Sequence, residues 1–193
     1  MKLCFATNNS NKLAEVSEML GDNFDLVSLK DIGCETDIPE DHETLEENSL
    51  QKAEYIVTNY QIATFADDTG LEVDALDGAP GVYSARYAGP QKNNQENIRL
   101  LLQNLANKSN REAHFRTIIT LIINQQVHQF EGKVTGEIIT ELKGIEGFGY
   151  DPIFVPNGHH KTFAEMNRQE KSSISHRGQA VAKLVAFLKN VEK

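Results

Sequence analysis

Residues 63–70 read ATFADDTG, and this stretch constrains the fold more than any other in the chain. Ala63, Phe65 and Ala66 suit a buried strand, whereas Asp67 and Asp68 belong to the residue types least able to be buried unpaired. Adjacent like charges also raise one another's pKa unless a cation lies between them. Thr69-Gly70 then supplies a turn. Either the strand ends at a solvated turn, as Asp and Gly often end strands, or the chain folds so that both acids face a cation.

The elements around this stretch alternate. Lys2–Thr7 reads as a buried strand, Asn11–Leu20 as a helix with Leu13, Val16, Met19 and Leu20 on one face, and Phe24–Leu29 as a second strand. Thr44-Leu45-Glu46-Glu47 has the capping-box pattern and opens a helix reaching about Tyr60. Strands follow at Ile62–Ala66 and around Leu71–Val73, then a turn at Gly78-Ala79-Pro80-Gly81. Asn94–Leu105 reads as a helix. Ala113–Ile123 and Val127–Leu142 read as a long hairpin joined by Asn124-Gln125-Gln126. Ile153–Val155 is a last strand and Arg177–Val191 a last helix. Early strand–helix alternation and a late hairpin imply an α/β protein with a mixed β-sheet. Residues 1–193 read as a single domain, two lobes with flanking helices around a central cleft.

A chain of 193 residues is long enough for a sizeable core. Its net charge of −9 argues against a nucleic acid polymer as partner, since such backbones want basic faces. A small polyanion is still compatible, provided local lysines, arginines or a divalent cation reverse the field. No stretch approaches a membrane span, Cys4 reads as a buried thiol, and the expected location is cytoplasmic.

Polar side chains gather at element ends. Thr7, Asn8, Asn9, Ser10, Asn11 and Lys12 follow the first strand where a helix begins. Free backbone N–H groups and the positive helix end attract phosphate there, although Asn and Ser are also ordinary N-caps. Lys171-Ser172-Ser173-Ile174-Ser175-His176-Arg177 places three potentially cationic groups at what reads as the start of the last helix. Cations there oppose the helix dipole, a conflict that a bound anion would remove. In Gly147-Phe148-Gly149-Tyr150-Asp151-Pro152, aromatic rings alternate with glycines. A purine could stack on a ring while Asp151 or backbone groups read its edge; equally, the rings could be tucked into the core. Glu40, from an acidic loop, could join Asp67 and Asp68 as an oxygen-only set suited to Mg²⁺, and the histidines lack zinc-ligand spacing. Together these are the parts of a magnesium–nucleoside triphosphate site.

The motifs ATNNSNK, EENSLQKA, FADDTGLEVDALDGAPGVYSARYAG, GFGYDPIF and EKSSISHRGQA resemble the inosine triphosphate pyrophosphatase family (Ham1 or RdgB type), nearly end to end. The resemblance implies an elongated mixed β-sheet in a two-lobed α/β fold, and a homodimer that releases pyrophosphate from ITP, dITP or XTP with Mg²⁺. It further implies that Thr7 to Lys12 cradle the triphosphate and that Glu40, Asp67 and Asp68 hold magnesium, with Asp68 as proton acceptor. Thr69 would touch the substrate, Phe148, Gly149, Tyr150 and Asp151 would embrace the base, and Lys171, His176 and Arg177 would contact base or phosphate. Lys52 would reach the phosphates. Thr7-Asn8-Asn9 departs from the usual Thr-Gly-Asn, and Thr69 replaces the commoner Ser. Arg86 stays unassigned between phosphate contact and structural ion pair. Adjacent strand residues point to opposite faces, so the two acids cannot serve equally. Rival classes are a phosphoryl-acceptor aspartate enzyme, a non-catalytic nucleotide-binding module, and a house-cleaning enzyme for pyrimidine or modified nucleotides.

Overall fold

The structure is a computed structural model that describes residues 2–21 and 24–191. Its strands are β1 (Lys2–Phe5), β2 (Asp25–Ser28), β3 (Thr64–Val73), β4 (Pro80–Gly81), β5 (Glu112–Ile123), β6 (Gln126–Ile138) and β7 (Phe154–Pro156). The helices are α1 (Ser10–Leu20), α2 (Leu45–Tyr60), α3 (Asn94–Asn104), α4 (Arg168–Ile174) and α5 (His176–Val191). The strands form one sheet in the order β2-β1-β3-β5-β6-β7, with β4 paired to β3. The sheet is mixed, as expected: β1 runs parallel to both β2 and β3, whereas β3–β4 and β6–β7 are antiparallel.

The chain falls into two compact units. One comprises the chain up to Asp68, Thr117–Gly132 and the chain from Arg177; the other comprises Thr69–Arg116 and Lys133–His176. In the first, Leu3, Phe5, Val16, Leu20, Phe65, Ile119, Val181 and Leu184 make one buried cluster, in which Phe5 and Phe65 stack at 4.5 Å. A second cluster joins Cys4, Ala6, Leu29, Ala53, Ile56 and Ala66. Cys4 is therefore the buried thiol expected, and burial pushes its pKa up to about 12. In the second unit, Leu71, Val73, Ile98, Leu101, Phe115, Tyr150, Phe154 and Phe163 form the core.

Local physics explains most element boundaries. Thr44 caps α2, its hydroxyl accepting from the Glu47 N–H and donating to the Glu47 carboxylate. Asn124 and Gln125 both have positive φ, as a two-residue hairpin turn requires, so β5 and β6 join one residue more tightly than the sequence suggests.

Three expectations need correction. The strand bearing the two acids does not end at them: β3 runs on to Val73, without a turn at Thr69-Gly70. Gly70 serves close approach instead, since a Cβ there would lie 2.8 Å from the Gly81 carbonyl oxygen of β4. Strand β6 stops at Ile138 rather than Leu142. Finally, Lys171 does not open the last helix. It lies in the last turn of the separate helix α4, capped by Asn167 and Glu170, where a cation complements the dipole.

Candidate active site

In the first unit, β3 carries two acids into the interior and neighbouring elements meet them with cations. Asp67 and Asp68 are only 1% and 7% exposed, so the solvated-turn alternative fails. Asp67 turns toward α1 and α5. Lys12 Nζ donates to Asp67 Oδ1 at 3.0 Å, and Arg177 Nε reaches Asp67 Oδ2 at 3.4 Å. Arg177 Nη1 also donates to Glu15 Oε2 at 2.6 Å. Lys12 and Glu15 lie about one helical turn apart on α1, so that Glu15 pairs with Arg177 while Lys12 pairs with Asp67, the other carboxylate that Arg177 reaches. Arg177 lies in the first turn of α5 as a buried cation, and carboxylates neutralise it there. The charge conflict read from the sequence is thus resolved within the protein at this position.

Asp68 faces α2 and the acidic loop. Lys52 sits on the buried stripe Asn48, Ser49, Lys52, Ala53 and Ile56 of α2. Its Nζ donates to Glu40 Oε1 at 2.5 Å, to the Asp67 carbonyl oxygen at 2.7 Å and to Asp68 Oδ1 at 3.5 Å. Asp68 Oδ2 is buried without a hydrogen-bond partner.

The two carboxylates consequently behave in opposite ways. Burial opposes ionisation of Asp67, but Lys12, Arg177 and Lys52 outweigh it and hold the carboxyl well below the usual range. For Asp68, burial dominates, Lys52 only partly offsets it, and the neighbouring Glu40 and Asp67 charges add to it, so the carboxyl is raised. Burial likewise works against charge on Lys52, yet Asp68, Glu40 and Asp67 prevail and hold its ammonium above the ordinary lysine value.

The expected magnesium trio is not assembled as such. Among the described residues, no group of three or more His, Cys, Asp or Glu side chains is placed to hold a metal ion. The reason is electrostatic: Asp67's carboxylate is committed to Lys12 and Arg177, leaving Glu40 and Asp68 to converge on one positive charge. That charge is the Lys52 ammonium, a stand-in for a hard cation among oxygen donors.

The Thr7–Lys12 segment forms an ordinary helix start as well as a polar one. Thr7 Oγ1 accepts from the Asn9 N–H, and Asn9 Oδ1 accepts from the Asn11 and Lys12 N–H groups. Asn8, Asn9, Ser10 and Asn11 are exposed, whereas Lys12 is half-buried.

In the second unit, the 147–151 loop is closed on itself by Asp151. The Phe148 N–H donates to Asp151 Oδ2 at 2.7 Å, and Lys171 Nζ donates to the same oxygen at 2.8 Å. The ammonium lies 5.0 Å from the Phe148 ring centroid and 5.7 Å from that of Phe163. Gly147 permits this closure: its φ is +73°, and a Cβ would collide with the Asp151 carboxylate.

The two rings of the loop part company. Phe148 and Gly149 remain half-exposed, whereas Tyr150 is only 4% exposed, and its hydroxyl donates to the Ser84 carbonyl oxygen at 2.9 Å. For Tyr150, therefore, the core alternative is the one observed. His176 stacks on Phe115 at 4.6 Å and is buried. Thr69 is half-buried, and the Arg86 guanidinium lies 5.2 Å from the Tyr83 ring centroid.

Sequence reading missed the groups that support this loop. Asn97 of α3 accepts from the Ala88 N–H at 2.7 Å and donates to the Ala85 carbonyl at 2.9 Å. Ser84 accepts from the Leu71 N–H and donates to the Gly81 carbonyl. The only local hint was an asparagine, Asn97, beside Ile98 on the apolar stripe of α3. Glu15 was missed too, although its spacing from Lys12 was a visible signal.

Residues 3–187 match the Ham1 family. A dITP/XTP pyrophosphatase of Flavobacterium psychrophilum is 50% identical over 190 residues, covering 98% of this chain and all of its own. One from Porphyromonas gingivalis is 52% identical over 188 residues and 97% of each chain. Among solved structures, the Staphylococcus aureus Ham1 protein superposes with a TM-score of 0.91 at 37% identity over the full length of both chains. A HAM1 protein from Coxiella burnetii gives the same TM-score at 39% identity, covering 98% of this chain and 99% of its own. With the mixed sheet and the buried acid pair on β3 already in place, this chain belongs to the Ham1 family.

Proposed function

We propose that this protein hydrolyses non-standard purine nucleoside triphosphates, dITP, ITP and XTP, to the monophosphate and pyrophosphate. One observation carries the reading: Asp67, clamped and ionised between Lys12 and Arg177, sits next to Asp68, a buried carboxyl with a raised proton affinity and an oxygen lacking a partner. Relatives about half identical to this chain bear the name dITP/XTP pyrophosphatase.

In this reading, Asp68 Oδ2 accepts the proton of the water that attacks the α-phosphorus. Its raised proton affinity brings it toward the working pH, where a general base is most effective. Lys12, the Thr7–Asn11 side chains and the positive end of α1 meet the charge of the departing pyrophosphate. Arg177 keeps Asp67 ionised and in place. Glu40 and Asp68, which already converge on an ammonium, are the residues that would hold Mg²⁺. Bound there, the ion would supply charge neutralisation for the phosphates. Asp67, assigned to the metal from the resemblance, serves instead as the anchor for Lys12.

Phe148 is the ring of its loop with surface to offer a purine, and Lys171 and Asp151 fix its orientation. Gly149 gives the base backbone room, while Tyr150 acts from beneath. Thr69 and His176 complete the substrate contacts.

The reading treats residues 1–193 as one catalytic domain. A cytoplasmic homodimer belongs to the same reading. No helix among the described residues is long and apolar enough to cross a membrane.

The test is a panel of triphosphates with Mg²⁺, following pyrophosphate. Turnover of dITP, ITP and XTP should exceed that of ATP, GTP and pyrimidine nucleotides by ~10²-fold or more, the scale at which unpaired polar groups discriminate. Equal turnover of ATP, or release of orthophosphate, would overturn the reading.

A further inference from the structure

We infer that Lys52 competes with the divalent cation for Glu40 and Asp68, so that the cation binds firmly only when the triphosphate draws the ammonium away. The inference rests on the pyrophosphatase reading for its biological sense, but its geometry belongs to the first unit alone. Lys52 is 7% exposed and its Nζ has three oxygen partners, Glu40 Oε1, the Asp67 carbonyl and Asp68 Oδ1. An ammonium and a divalent ion cannot both occupy the gap between two carboxylates at such distances without strong repulsion. The ammonium therefore stands where the Glu40 and Asp68 carboxylates converge, and Asp68 still presents a buried oxygen without a hydrogen-bond partner.

The consequence is an order of events. Without nucleotide, Lys52 compensates the buried acids and keeps the Glu40 loop tied to α2. An incoming phosphate offers Lys52 a new anionic partner and brings the cation with it. Lys52 then exchanges carboxylate for phosphate, and Glu40 and Asp68 exchange ammonium for metal. Total charge in the site stays nearly balanced throughout, which avoids leaving a buried carboxylate uncompensated.

The test is Mn²⁺ or Mg²⁺ binding to the whole chain by calorimetry in the absence of any nucleotide. Wild type should bind weakly. Lys52→Met and Lys52→Gln should each bind at least about tenfold more tightly, since a positive charge a few ångströms away has gone. Lys52→Arg, which keeps the charge, should stay close to wild type. Adding Glu40→Gln to either neutral variant should abolish the gain. Should Lys52→Met fold poorly, Lys52→Gln retains a hydrogen-bonding group, and the rise in its melting temperature on adding Mn²⁺ should exceed that of wild type. Neutral variants that bind no better than wild type would overturn the inference. So would a gain that Lys52→Arg shares or that survives Glu40→Gln. No nucleotide is present, so a failure here is distinct from a failure of the assigned substrate.

Discussion

Asp67→Asn and Asp68→Asn should change stability in opposite directions although the residues are adjacent. Asp67 is a buried anion shared by Lys12 and Arg177; removing its charge strands Lys12 and leaves Arg177 to pair with the Glu15 carboxylate. The expected loss is about 3–5 kcal/mol, the usual cost of breaking a buried pair from one side. Asp68 is different. Its folded-state pKa lies above the ordinary carboxyl value, so the folded state binds a proton more tightly than the unfolded state does. Its contribution to stability is therefore present below the unfolded pKa and is lost as pH rises through the folded one. Asp68→Asn should accordingly melt higher than wild type at neutral pH in chelator, and the difference should vanish in acid. Thermal melts across pH check both signs. Turnover should move the other way for Asp68→Asn, falling ~10²–10⁴-fold as a lost general base would require. At this scale the sequence was informative about which residues matter and silent about their division of labour. ADDTG announces a buried conflict of charge, but which cation reaches which oxygen depends on Lys12, Lys52 and Arg177, drawn from three distant segments.

Helices α3 and α4 earn their place through what they hold. The amide of Asn97 pins the Ser84–Ala88 segment by its backbone, and the Ser84 carbonyl in turn takes the Tyr150 hydroxyl. Asn97→Ala removes the partners of two part-buried backbone groups and should cost about 1 kcal/mol, measurable by urea unfolding. Gly147→Ala acts on the loop itself. A side chain at positive φ costs about 1–2 kcal/mol, and its Cβ would displace the Asp151 carboxylate from Phe148 and Lys171. The expected signature is a raised KM for dITP with a smaller change in kcat, because the base contact loosens while Asp68 is untouched. Periodicity located the long helices and the hairpin because those patterns are local. It missed α4 and the continuation of β3 because both depend on partners: a capping pair at Asn167 and Glu170, and a glycine that lets β4 close on β3.

For the molecule as a whole, the sequence carried the family and the mixed sheet, since the motifs span nearly the entire chain. It could not carry the internal compensation of charge. A net charge of −9 gives no hint that the two buried acids of β3 are met by Lys12, Lys52 and Arg177. That compensation is the basis of the account: a neutralised, buried cluster proposed to receive a polyanion by exchanging partners. The most direct test is hydrolysis of dITP in heavy-oxygen water with Mg²⁺, with products resolved by mass spectrometry. The account predicts one heavy oxygen in deoxyinosine monophosphate and none in pyrophosphate. Heavy oxygen in pyrophosphate, or release of orthophosphate, would contradict it.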